Sequence, residues 1–107
     1  MMNDTLKTIL AELRRRFEAL YGKRLVRLVL FGSQAREEAE SGSDIDILVV
    51  LQGHVEPGEE VARTGEIVTA LSLRFDTVIS CVFMEEERFN NRNGPLLRNI
   101  RREGIAV

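Results

Sequence analysis

Tryptophan is absent from this 107-residue chain, and cysteine, tyrosine and histidine occur once each. With Tyr21 as the only tyrosine there is no aromatic platform on which successive bases would stack, and a formal charge of −2 does not suggest a general nucleic-acid coat. A lone cysteine excludes an internal disulfide; Cys81 sits in an apolar strand-like run, where a free thiol packs as a small hydrophobe. His54 lies in a turn-rich loop between Gly53 and Pro57 with no second histidine or cysteine near it, which makes it a surface residue rather than a ligand. No stretch approaches the roughly 18 apolar residues that span a bilayer, and the N-terminus has no apolar signal core, so the expected location is the cytoplasm, away from membranes. The 44% hydrophobic content is enough for one core, and the expectation is a single domain over residues 1–107.

Periodicity supplies the elements. Leu6, Ile9, Leu10, Leu13, Phe17 and Leu20 recur at helical spacing, predicting a first helix capped by Asp4 or Thr5 and ended by Gly22. Leu25 to Phe31 reads as a buried strand that stops at Gly32, followed by a short helix-forming run at residues 34–39. A second strand carries Asp44 and Asp46 into Ile47-Leu48-Val49-Val50; residues 52–58 form a turn-rich link. A helix is predicted from Glu59 to about Ser72 with Val61, Val68 and Leu71 inward, then a third strand over residues 76–83. Glu85-Glu86-Glu87 opens another helix, and a last one runs from Pro95 to Glu103 before Gly104. The short link between the first two strands favours an antiparallel pair; the longer helical link to the third permits a mixed sheet. The expected class is α/β (α+β), with a mixed sheet of three strands or slightly more.

Asp44 and Asp46 stand two residues apart on a strand, so they share a face, roughly 6–7 Å apart along the chain. Two like charges held this close favour protonation unless a cation sits between them. Mg²⁺ suits that need, since it takes one or two carboxylates together with substrate phosphates and waters. Upstream, Gly32 lets a ligand approach the backbone, and Ser33 at the start of a helical run reads as an N-cap with N–H groups that attract phosphate. Phosphate turn and acidic strand together form one candidate site for a nucleotide and its metal.

Gly32-Ser33 with Arg36 three residues on, followed by Ser43-Asp44-Ile45-Asp46-Ile47-Leu48-Val49, resembles the signature of the DNA polymerase beta superfamily of nucleotidyltransferases. The short length and the ending from Gly94-Pro95 through Gly104-Ile105 resemble the minimal nucleotidyltransferases, small proteins paired with HEPN-domain partners in toxin–antitoxin systems. That resemblance implies a polymerase beta-like fold with helices mainly on one face of the sheet. It implies a triphosphate, ATP by preference, bound through Gly32, Ser33, Arg36 and Ser43, and Mg²⁺, two ions, held by Asp44, Asp46 and a third carboxylate. Asp76, at the head of the third strand-like run, is the candidate for that third ligand and for the group that accepts the proton of the attacking hydroxyl. The chain departs from many relatives at Glu37, where they have glycine after the arginine.

The implied activity is transfer of a nucleoside monophosphate, AMP from ATP, to a hydroxyl on a HEPN-type partner. Three other readings share the motif: a small-molecule nucleotidyltransferase of the aminoglycoside-modifying kind, a binding module that neutralises a partner by contact, and a polynucleotide-end transferase. By strand parity the face of Asp44, Asp46 and Asp76 also carries Leu48, Val50, Val78 and Val82. If the helices cover the other face, a partner subunit or a second copy of the chain is expected to cover this apolar one.

Overall fold

A computed structural model of the chain describes residues 3–36 and 44–107. Helix α1 (Asp4–Tyr21) leads through a 3-10 turn, Gly22–Arg24, into strand β1 (Leu25–Phe31). Strand β2 (Ile45–Leu51), helix α2 (Pro57–Phe75), strand β3 (Ile79–Glu85), helices α3 (Glu86–Asn91) and α4 (Pro95–Glu103), and a two-residue strand β4 (Ile105–Ala106) follow. The strands form one mixed sheet in the order β3-β2-β1-β4. β1 runs antiparallel to β2 and β4, while β2 and β3 are parallel, α2 being the crossover between them. The expected antiparallel first pair and mixed sheet are both present; β4 is an addition, too short to give a periodic signal.

The alternation of β2 divides the molecule. Ile45, Ile47, Val49 and Leu51 point into a core with Leu28 and Leu30 of β1, closed by Leu6, Leu10, Leu13 and Phe17 of α1 and Leu71 of α2. Leu48 and Val50 point the other way, into a smaller core with Val29, Met84 and α4's Leu97 and Ile100. The two long helices thus lie on one face and the short α4 covers part of the other. This corrects the expectation of a bare second face: Leu48 and Val50 are fully buried. What stays exposed there is a strip on the edge strand side, Val78 at 53% and Val82 at 37%.

Element ends show where packing overrides pattern. Asn3, not Asp4 or Thr5, caps α1, its Oδ1 accepting the Leu6 N–H at 2.7 Å. Tyr21 rather than Leu20 faces inward, because its hydroxyl donates to Glu60 Oε1 at 2.6 Å. α2 buries Glu60, Thr64 and Leu71 and leaves Val61 exposed, one helical step away from the face predicted for it. Burial pushes the Glu60 carboxyl up, but the Tyr21 hydroxyl and the Arg63 guanidinium, 3.0 Å away, outweigh it and hold the group below the ordinary glutamate value.

Candidate active site

β1 delivers the chain to Gly32, which adopts φ +76°, a conformation that L side chains rarely hold. The Gly32 carbonyl accepts the N–H groups of Ala35 and Arg36, at 3.1 and 3.2 Å, so residues 32–36 close into a single turn. Ser33 lies inside this turn and Gly32 occupies the capping position predicted for it. The remainder of the expected helix at 34–39, the departure at Glu37 and the candidate ligand Ser43 lie outside the described residues.

Opposite the turn, Asp44 is exposed just before β2 and Asp46 is half-buried as its second residue. The segment is pinned: Ile45 N–H donates to the Val78 carbonyl at 2.8 Å, and Asp46 stands in register between Phe31 of β1 and Ser80 of β3. Burial first, and the Asp44 charge second, hold the Asp46 carboxyl above its ordinary value. A Cβ built on Gly32 would lie 2.5 Å from Asp46 Oδ2, so the turn presents bare backbone to the carboxylate. A carboxylate whose charge is disfavoured by burial and by a neighbouring aspartate, beside a glycine that adds no side chain of its own, fits a hard divalent cation and the phosphates that travel with it.

Asp76 does not join them. It ends α2 as a left-handed cap (φ 50°, ψ 54°), its N–H donating to the Ser72 carbonyl, and β3 begins three residues later. The prediction failed because Phe75 packs against the core and carries the helix on beyond Ser72, and aspartate tolerates the left-handed stop. Among the described residues no group of three His, Cys, Asp or Glu side chains is placed to hold a metal ion. The β3 residue beside Asp46 is Ser80. Arg36 reaches the end of α4, with Nη1 at 3.4 Å from Glu103 Oε2. Neither Ser80 nor Glu103 was legible as a site neighbour; correct β3 bounds would have revealed the first. Cys81 packs against the larger core, and burial pushes its thiol up to about 12, as expected of a structural cysteine. His54 is exposed and bonds Glu56 at 2.7 Å, well outside this site.

The chain is similar to known proteins over most of its length. A family model described as a nucleotidyltransferase domain matches residues 6–107. Over 88 residues the chain is 35% identical to a Methanocaldococcus jannaschii protein named as a putative protein adenylyltransferase, covering 81% of this chain and 82% of that one. A solved structure of a putative minimal nucleotidyltransferase superposes with a TM-score of 0.63 at 28% identity, covering all of this chain and 97% of the other. The fold is also similar, at a TM-score of 0.55 and 19% identity, to a structure of the tri-AMPylated Shewanella oneidensis HEPN toxin in complex with MNT antitoxin, covering 95% of this chain and 67% of that one. Among the described residues no helix is long and apolar enough to cross a membrane.

Proposed function

The chain belongs to the nucleotidyltransferase domain family, and from that premise we propose that it transfers AMP from ATP to a hydroxyl of a HEPN-type protein partner, using Mg²⁺ held by Asp44 and Asp46. The observation that carries the reading is that a Cβ on Gly32 would stand 2.5 Å from Asp46 Oδ2, a closeness that supports reading the turn and the acidic pair as one site. The relative named for protein adenylylation and the AMPylated HEPN toxin among structures of this fold support AMP as the group moved and a protein as its acceptor.

In this reading the residues divide the work. The Gly32-Ser33 turn and Arg36 would bind the β- and γ-phosphates, and Asp44 and Asp46 would hold the metal. Magnesium, when bound, supplies charge stabilisation for the attacking and leaving oxygens. The acceptor oxygen bonds to the α-phosphorus, the bond to pyrophosphate breaks, and the hydroxyl proton passes to one of the two carboxylates or to water. Position and charge are most of what phosphoryl-type transfer asks of a protein, and in this reading the turn after β1 and the start of β2 would supply both. The exposed strip of Val78 and Val82, on the same face as the carboxylates and along the open edge of the sheet, is where the partner protein would rest.

Incubation with α-labelled ATP, Mg²⁺ and a HEPN-type protein tests this. Label on the protein, lost in Asp44→Asn with Asp46→Asn, is the expected result. Label on an aminoglycoside or an oligonucleotide instead, or label that survives the double substitution, overturns it.

A further inference from the structure

Arg36 and Glu103 are 67 residues apart in sequence, and their ion pair joins the end of the Gly32 turn to the last residue of α4. The two ends of this pair are held differently. Arg36 belongs to a single turn whose closing hydrogen bonds both run to the Gly32 carbonyl. Glu103 sits on a chain segment tied down at several points. The Gly104 N–H donates to the Ile100 carbonyl at 2.7 Å, and a Cβ at Gly104 would collide with that carbonyl and lie 2.6 Å from Val29 Cγ1. Ile105 and Ala106 then pair with Leu30 and Val29 of β1, the Val107 N–H donates to the Leu28 carbonyl at 2.9 Å, and the Val107 carbonyl accepts from Arg14. β1 is the strand that delivers Gly32, so the same strand fixes the turn and the carboxylate that reaches it.

We propose that Glu103 is a positioning residue: it holds the Arg36 guanidinium in place at the phosphate turn, so that the site favours a nucleoside triphosphate over a monophosphate. This rests on the reading of residues 32–36 as the turn that takes the β- and γ-phosphates. An exposed pair of this kind adds little to fold stability, so its effect lies in orientation. A guanidinium is a planar fork of five N–H donors, and the pairing of Nη1 with Glu103 Oε2 at 3.4 Å fixes the plane in which that fork lies beside the turn. Glu103 is not the only partner of Arg36, and its other oxygen, Oε1, lies 3.8 Å from Arg102 Nη2, which steadies the carboxylate in turn. Holding a long side chain in its bound conformation before the ligand arrives removes an ordering cost from binding.

The test is equilibrium binding of a non-hydrolysable ATP analogue and of AMP, each with Mg²⁺, to the full chain and its variants, with thermal melting as a check of folding. Glu103→Ala is expected to weaken binding of the ATP analogue about three- to tenfold, the range for freeing one ordered side chain, and to leave AMP binding unchanged. Glu103→Gln keeps an acceptor oxygen and stays within about twofold of the native chain, since the hydrogen bond outlasts the charge. In an Arg36→Ala background the Glu103→Ala effect disappears. Unchanged or tighter ATP-analogue binding in Glu103→Ala overturns the proposal, as does an equal loss for AMP. A native chain that does not bind the ATP analogue at all, or binds it equally well after Arg36→Ala, instead overturns the phosphate-turn reading and the proposal with it.

Discussion

Gly32 and Asp46 touch: a Cβ on the glycine would stand 2.5 Å from the aspartate Oδ2. The glycine is needed for two separate reasons, its φ of +76° and this missing side chain. Gly32→Ala should therefore both strain the turn and displace the carboxylate. The backbone cost alone is about 1–3 kcal/mol, or a fall in melting temperature of several degrees. Adding Asp46→Ala to Gly32→Ala should recover the steric part of that loss and leave the backbone part. Melting curves of the two single variants and the double one separate these contributions, and AMP transfer should be lost in all three.

The acidic pair predicts opposite effects on stability with and without metal. An acid whose folded pKa is raised binds its proton more tightly in the native state, so native stability falls as pH rises from the ordinary carboxylate value through the raised one. Burial and the Asp44 charge raise Asp46 in this way. Asp46→Asn should then melt higher than the native chain at pH 7 without Mg²⁺, and the difference should close as the pH is lowered past the ordinary carboxylate range. With Mg²⁺ the order reverses. At a hundredfold excess over its dissociation constant the ion stabilises the native chain by about 2.7 kcal/mol, and it should leave Asp44→Asn with Asp46→Asn unmoved. A Mg²⁺ titration followed by differential scanning fluorimetry reads both effects.

Most of the fold was legible because hydrophobic period and punctuation agreed. Gly22 stops α1, Leu25 to Phe31 form β1, and Pro95 to Glu103 form α4, each as the pattern predicts. The motif also pointed to Gly32 and Asp46, which the structure sets side by side. The misses share one physical cause, tertiary contacts that outweigh local signals. Phe75 extends α2 and turns Asp76 into a helix stop; a buried hydroxyl–carboxylate pair takes the inward positions from Leu20 and Val61; and β4 exists because β1 offers it an edge. Arg36 and Glu103 were too far apart in sequence for any periodicity to pair them.

The Tyr21–Glu60 hydrogen bond makes its own pH prediction. Glu60 is 2% exposed and its carboxyl is held below the ordinary 4.5. A depressed acid contributes stability that is fully present above its unfolded value and is lost as pH falls through the folded one. Tyr21→Phe leaves the buried carboxylate with Arg63 and should cost about 1–3 kcal/mol at pH 7. At pH 3, where the native chain has also lost part of Glu60's contribution, the difference between the two proteins should be smaller. Urea unfolding at the two pH values measures it, and Glu60→Gln should flatten the acid limb in the same way.

Asp76 and Ser80 provide the sharpest test of which residue lies beside the pair. Asp76 pays for a left-handed conformation at the end of α2, so Asp76→Gly should gain up to about 1 kcal/mol. Mg²⁺ binding and AMP transfer should persist in that variant, because Asp76 stands apart from Asp44 and Asp46. Ser80 is in register with Asp46 on the parallel neighbour strand, and paired positions of adjacent strands share a face. Ser80→Asp therefore sets a third carboxylate beside the pair. It should raise the Asp46 pKa further in the absence of metal and lower the melting temperature there, yet tighten Mg²⁺ binding in calorimetric titration. Loss of Mg²⁺ binding in Asp76→Gly, with Ser80→Asp inert, would show instead that the end of α2 swings over to the carboxylates when the ion arrives.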